Sequence, residues 1–211
     1  MSSSSTRWLA ILAPIAVIAI VIVNAWPGLM PGVGFWDTGE FQTVLPIMGT
    51  AHPTGYPTYV LLGFVANLLL TPIGEPAFRI NALSLVAVAV AAGATAVLVR
   101  RLTGSTIVGA ATGLGLATTP VVWLNATRAD PHPIHLLFVA LLLLALVRWE
   151  DARRELRDAA ADVPSEDGAD PPADPVAAGR TADRRLVVAA IVFGLAAGNH
   201  SLILLFIPPI I

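Results

Sequence analysis

The segments Trp8–Val23, Ile80–Val99, Thr106–Val122, Ile134–Val147 and Leu186–Ile207 contain no Asp, Glu or Arg. A helix needs about 20 apolar residues to cross a hydrocarbon layer of ~30 Å. Inside lipid a segment must also satisfy its own backbone hydrogen bonds. Runs of this kind restrict the fold to an all-α, polytopic transmembrane bundle of about five spans. Composition agrees: 56% of the 211 residues are hydrophobic and 12% charged, against the roughly 25% charged of soluble domains. The mean hydropathy is +0.78. Val23 and Ala25 would suit a signal-peptide cleavage site, but the first run exceeds the ~7–15 residues of a signal core. A retained first span over residues 8–26 is therefore expected.

The arginines orient the bundle. All 12 basic residues are arginine, and cysteine is absent, which excludes disulfides and thiolate metal sites. Together with an acidic stretch over 150–185, the lysine-free composition suggests a GC-rich or salt-adapted prokaryotic source. A net charge of −2, with arginines flanking apolar runs, gives no reason to expect a nucleic-acid partner. Val60–Leu70 is too short to cross easily. If it lies in the interface, Arg7, Arg100, Arg101, Arg148, Arg153, Arg154, Arg184 and Arg185 all fall on one side, as the positive-inside rule favours. The expected layout is a multi-pass protein of the cell (plasma) membrane with a cytoplasmic N-terminus. Residues 27–79 form an outer loop with short interfacial helices, and 80–149 hold three spans. Residues 150–185 form a polar cytoplasmic loop, with a short helix at its start and disorder in its middle; 186–207 are the fifth span. The turn at Trp123–Pro133 then shares the outer face with the first loop. Gly109 and Gly113, and again Gly194 and Gly198, have the spacing that lets helices approach closely.

The first loop carries the chemistry. Asp37 and Glu40 stand three residues apart beside an apolar wall, where charges are costly unless water, a partner or a substrate accepts them. On a helix they share a face and would raise each other's pKa. That suits a general base toward a hydroxyl, or oxygen ligands for a divalent cation. The same spacing also suits a capping box with Asp37 as N-cap. His52 with Tyr56 belongs to a rigid turn, as a ligand or as a satisfied interfacial residue. Arg79 sits on the outer side against the charge trend and calls for an anionic partner. Arg128 and Asp130 are either a pair with each other or site residues. His132 and His135 have no further ligand in view, so zinc is not expected. Asn199 and His200 interrupt the last span, as site support or as an interhelical hydrogen bond. Asn125-Ala126-Thr127 fits a glycosylation sequon and fits chance equally well.

The blocks WDTGEF, AHPTGYPTYVLLG, AFRINALS, WLNATRADPHPIHLL and GLAAGNHSLILL, in that order, resemble the membrane-embedded glycosyltransferase C superfamily. More closely, they resemble its family of membrane proteins related to protein O-mannosyltransferases. The resemblance implies transfer of a sugar, such as mannose, from a polyprenyl-phosphate-linked donor to a protein or glycan acceptor on the outer membrane face. It also implies that residues 1–211 are the N-terminal part of a longer domain. Asp37 matches the first-loop acidic position, with Glu40 beside it, and Asp130 matches the second-loop one; a cation, if used, would lie between Asp37 and Asp130. His52, Arg79 and Arg128 are donor-phosphate candidates by charge, and Tyr56, Asn199 and His200 are supporting ones. A polytopic transporter and a non-catalytic or truncated membrane partner are the rival readings.

Overall fold

The computed structural model describes residues 3–161 and 175–207, with side chains over 8–158 and 176–207. Its elements are helices, and no strand occurs among the described residues. In chain order they are α1 (Ser3–Ala25), α2 (Trp36–Val44), α3 (Pro57–Leu69), α4 (Pro76–Thr103), α5 (Thr106–Ala117), α6 (Pro120–Ala126), α7 (Pro131–Ala161) and α8 (Pro175–Asn199). One-turn 3-10 segments follow α1, α2 and α3, and Ser201–Phe206 continues α8 as 3-10 helix.

Trp8–Gly28, Pro76–Thr103 and Pro131–Asp158 are long and apolar enough to cross a membrane, and α5 with α6 forms a further candidate bent by 69°. That bend corrects the expectation of a straight span over Thr106–Val122. Pro120 has no N–H and disfavours helical geometry in the residue before it; Thr119 duly sits at φ −61°, ψ 139°. The expected turn from Trp123 is accordingly helical as far as Ala126. The polar stretch from Glu150 begins in helix as expected, since α7 runs on to Ala161, and α8 already begins at Pro175, before the expected fifth span. Glu150 accepts from Arg154 at 3.2 Å and Arg157 at 3.3 Å along the same face, and nothing before Pro164 breaks the helix. The expected disordered middle falls in residues 162–174, outside the described residues. The last apolar run is divided, with α-helix to Asn199 and 3-10 beyond.

Helix α4 is the central mast. Leu85, Ala89 and Ala92 pack against Val17, Val21 and Ala25 of α1, and Ala91 and Ala94 pack against Ala140 of α7. Against α5 the approach is closer. A Cβ at Gly109 or Gly113 would strike the carbonyl oxygen of Ala96 or Ala92, so that glycine pair lets backbone meet backbone. Of the second pair, Gly198 abuts Thr58 while Gly194 faces open space.

Polar groups fix the loops to the mast. Asn81 is fully buried. Its Oδ1 accepts from Gln42 Nε2 and from the Ala129 backbone N–H, each at 2.8 Å. Its Nδ2 donates to the Met30 carbonyl, also at 2.8 Å. Gln42 in turn donates to Gly32 O at 3.1 Å and accepts from Gly34 N–H at 2.7 Å, and Met30 N–H reaches Thr127 O at 2.9 Å. One buried amide pair thus joins the first loop, α2, α4 and the turn before α7. Asn81→Leu should strand the Gln42 amide and the Ala129 N–H, each at about 1–3 kcal/mol. The expected result is a thermal midpoint several degrees lower in detergent, with early proteolysis of the 27–35 loop. A variant that melts with the parent would refute this role.

Candidate functional site

Helix α2 opens without a side-chain cap: its N-cap is Phe35, and Asp37 lies in the first turn. The capping-box reading of Asp37 and Glu40 is therefore corrected. Phe35 and Trp36 are 86% and 93% exposed, as aromatic side chains are at a membrane–water interface. Gly39 admits the 30–34 loop across α2, since a Cβ there would lie 2.5 Å from the Gly34 carbonyl oxygen. Among the described residues, Trp36, Met48 and Tyr56 are the non-glycine residues with left-handed backbone, at φ 57°, 52° and 46°, each at a cost of roughly 1–2 kcal/mol. All three fall in the stretch that carries the acidic pair.

Glu40 grips His52 twice. Its Oε1 accepts from the His52 backbone N–H at 2.6 Å and its Oε2 from the ring Nδ1 at 2.8 Å. With Nδ1 carrying the proton, Nε2 is free to accept from the Tyr56 hydroxyl at 3.3 Å. Phe41 holds the arrangement from below, its ring centroid 5.5 Å from His52 and 5.4 Å from Tyr56. The side-chain bond to His52, reinforced by the backbone bond, holds the Glu40 carboxyl below its ordinary value. This corrects the expectation of a raised pKa at Glu40, because two direct hydrogen bonds outweigh its desolvation. Asp37 is exposed and makes no hydrogen bond or ion pair with the described residues.

The second acidic turn arrives at the same place. Asp130 Oδ1 accepts from the His132 backbone N–H at 2.8 Å and lies 2.6 Å from its Nδ1. Rings then bridge the two loops: His200 lies 5.1 Å from His132, 5.6 Å from His135 and 5.9 Å from Tyr56, centroid to centroid. Tyr56 feels the convergence directly. Burial, then the charges of Asp37, Asp130 and Glu40, push its phenol above its ordinary value, so it stays protonated at neutral pH. Asn199 donates from Nδ2 to the Pro131 carbonyl at 3.2 Å, the interhelical bond that was one of its two readings. His200 Nδ1 accepts from Leu202 N–H at 3.2 Å.

Two of the candidate residues also make neutral hydrogen bonds within the fold. Arg79 donates to Gly74 O at 2.7 Å and to Asn67 Oδ1 at 3.2 Å, closing the α3–α4 connection. Arg128 donates to Asn125 Oδ1 at 3.2 Å and is not paired with Asp130, whose contact is His132. Sequence reasoning missed Gln42, Phe41 and the bond of His132 to Asp130. The polar Asn81 within an apolar span was the available signal for the first. For the others only the folded contact reveals the role.

Asp37, Glu40 and His52 each offer a ligand atom within 4.8 Å of the others, a spacing that one divalent cation can bridge. Asp130 is not in that group. Beside the second turn, a cavity of about 340 Å³ between α6 and α7 is lined by Val121, Val122, Leu136 and Val139, with Asn125, His132 and His135 among its polar groups.

Because its folded pKa is depressed, Glu40 contributes stability above its unfolded value, and that contribution is lost as pH falls through the folded value. Acid titration of the parent should therefore show a loss of thermal stability below the ordinary value of 4.5. Glu40→Gln should lack that component, and superimposable acid slopes would show the His52 contact to be energetically silent.

Residues 37–211 match the family model described as protein O-mannosyl-transferase TMEM260 N-terminal domain. The mouse protein O-mannosyl-transferase TMEM260 is 34% identical over 141 residues, which cover 67% of this chain and 20% of the mouse protein. The chain thus spans about a fifth of that relative's length. No solved structure matches. With an all-helical fold, three candidate membrane spans and a family match over most of its length, this membrane protein belongs to the protein O-mannosyl-transferase TMEM260 N-terminal domain family.

Proposed function

We propose that the chain is part of an integral membrane glycosyltransferase that moves a sugar, mannose in the family's description, from a polyprenyl-phosphate donor to a hydroxyl acceptor on the outer face of the cell membrane. The observation that carries the reading is the convergence of Asp37, Glu40, His52 and Tyr56 with Asp130, His132 and His200 at one end of the bundle. The apolar cavity next to His132 supports a lipid-linked donor, with the isoprenoid chain between α6 and α7 and the phosphate toward the histidines. A transporter would place such groups near the bilayer midplane; these sit at helix ends.

In this reading the acceptor oxygen attacks the anomeric carbon and the bond from that carbon to the donor phosphate oxygen breaks. Polyprenyl phosphate leaves, and the acceptor proton passes to Asp37. Glu40, already bound to His52, orients the imidazole and through it the Tyr56 hydroxyl. In the alternative form of the same reading, Asp37, Glu40 and His52 hold a divalent cation that organises the donor phosphate.

The reading takes five crossings, the candidate spans in α1, α4, the α5–α6 pair and α7 together with α8 and its 3-10 continuation, and lays α3 in the interface. At 13 residues α3 is roughly 20 Å long, short of a ~30 Å crossing. The arginines support this orientation. Arg101, Arg148, Arg184 and Arg185 gather around one cavity at the far end of α4, α7 and α8 from Asn81, Asp130 and His200. The N-terminus and residues 150–185 are then cytoplasmic. A single cysteine at the exposed Thr50 should react with a membrane-impermeant thiol reagent in intact cells, and one at Ala169 should not; the reverse pattern would invert the topology.

Asp37→Asn in the full-length protein should insert and express normally and lose on the order of a hundredfold in transfer of labelled sugar from polyprenyl-phosphate donor, as expected for removal of a general base. Asp130→Asn should lose less. A shared cation would instead show as equal losses with sensitivity to chelators. Near-parental transfer by Asp37→Asn would remove this residue from the mechanism.

A further inference from the structure

A second cluster lies at the opposite end of the bundle. Arg101 of α4, Arg148 of α7, and Arg184 and Arg185 of α8 border a cavity of about 380 Å³, with Ala145 and Val188 completing its wall. Arg101 is the one answered by a carboxylate: its Nε and terminal nitrogen donate to Asp151 Oδ2 at 2.9 and 2.6 Å. Arg185 donates to the Arg148 carbonyl at 2.6 Å, a bond that fixes its position and leaves its charge unbalanced. The guanidinium groups of Arg148 and Arg184 have no hydrogen bond or ion pair among the described residues. Glu150, next along α7, is engaged by Arg154 and Arg157. Four positive charges against one negative leave an excess of three around a single cleft.

Like charges gathered from three helices repel one another unless an anion enters. The cleft's depth identifies which anion. Arg148 lies roughly 26 Å along α7 from Pro131 at the helical rise, close to the ~30 Å of a hydrocarbon layer. The cleft therefore sits at the level of lipid phosphates on the face opposite Asp37, with an apolar wall at Ala145 and Val188 where a lipid's acyl region begins. Guanidinium groups match phosphate oxygens in geometry and form charge-assisted bonds with them. Basic pockets between spanning helices on the cytoplasmic side take anionic headgroups in the same way. We propose that the cleft formed by Arg101, Arg148, Arg184 and Arg185 binds the phosphate-bearing headgroup of an anionic phospholipid and thereby ties α4, α7 and α8 together at the cytoplasmic surface.

The test is thermal unfolding of the full chain in neutral detergent with added dioctanoyl phosphatidylglycerol, dioctanoyl phosphatidylcholine or inorganic phosphate. Phosphatidylglycerol should raise the midpoint saturably, phosphatidylcholine and phosphate should not, and Arg148→Gln/Arg184→Gln should weaken the response at least tenfold. Equal responses to the two lipids, or an undiminished response in the double variant, would overturn the proposal. A full response to inorganic phosphate alone would make this a free-anion site and overturn the lipid assignment. Should the double variant fail to fold, the exposed Arg184→Gln alone carries the test, read as the same loss of affinity. The readout is independent of sugar transfer, so its failure leaves the transfer reading standing.

Discussion

The buried contact between Gln42 and Asn81 is the constraint on which the rest depends. Lipid-facing helices need little from one another beyond shape, because hydrocarbon is as apolar as leucine. Irregular backbone between such helices is different: its N–H and C=O groups must find partners or lie in water. Asn81 answers that need for three segments at once, binding Gln42, the Met30 carbonyl and the Ala129 N–H. An apolar residue at 81 would leave the loop 30–34 and the turn 127–129 without a common anchor. The acidic residues of the two loops, Asp37 and Asp130, would then be held together only by contacts such as the Met30–Thr127 backbone bond and the rings around His200.

With that anchor in place, the charges of the chain separate along the helix axes. Asp37, Glu40, Asp130 and the histidines collect where α2, α4, α7 and α8 meet at one end, and Arg101, Arg148, Arg184 and Arg185 collect at the other. Roughly 29 Å of α4 lies between Asn81 and Arg100, and the intervening residues are apolar or small. Moving either group into hydrocarbon would cost several kcal/mol per ion after relaxation. The spacing therefore fixes the depth and tilt of the bundle more firmly than the apolar surface, which would tolerate sliding.

Much of this was legible in the sequence, and for a physical reason. Helix formation in an apolar run is a local decision made by length and hydropathy. The glycine spacing of Gly109 and Gly113 reports a close approach whichever helix provides it. What the sequence hid was of two kinds. Local continuations turned on single breakers: Pro120 bends one run. Long-range partners were the other kind. Charge marked Arg79 and Arg128 as candidates, but not that Arg79 would bind Gly74 and Asn67 or that Arg128 would bind Asn125. Likewise, spacing judged His132 and His135 as an incomplete metal pair, while folding gives His132 to Asp130 and brings His200 against both rings.

The acidic pair shows why the distinction matters for chemistry. Asp37 and Glu40 are one turn apart and alike in sequence, but the fold treats them differently. Glu40 is bound through both oxygens to His52, which holds its charge and leaves it poorly suited to collect a proton. Asp37 stands at the first turn of α2, where the helix dipole favours a negative group, without a hydrogen-bond partner among the described residues. A carboxylate in that condition, beside the interfacial rings of Phe35 and Trp36, can take its partner from the solvent side of the site: an acceptor hydroxyl or a cation. Under the transfer reading the pair divides its labour accordingly, with Glu40 setting the tautomer of His52 and the donor hydrogen of Tyr56, and Asp37 meeting the substrate.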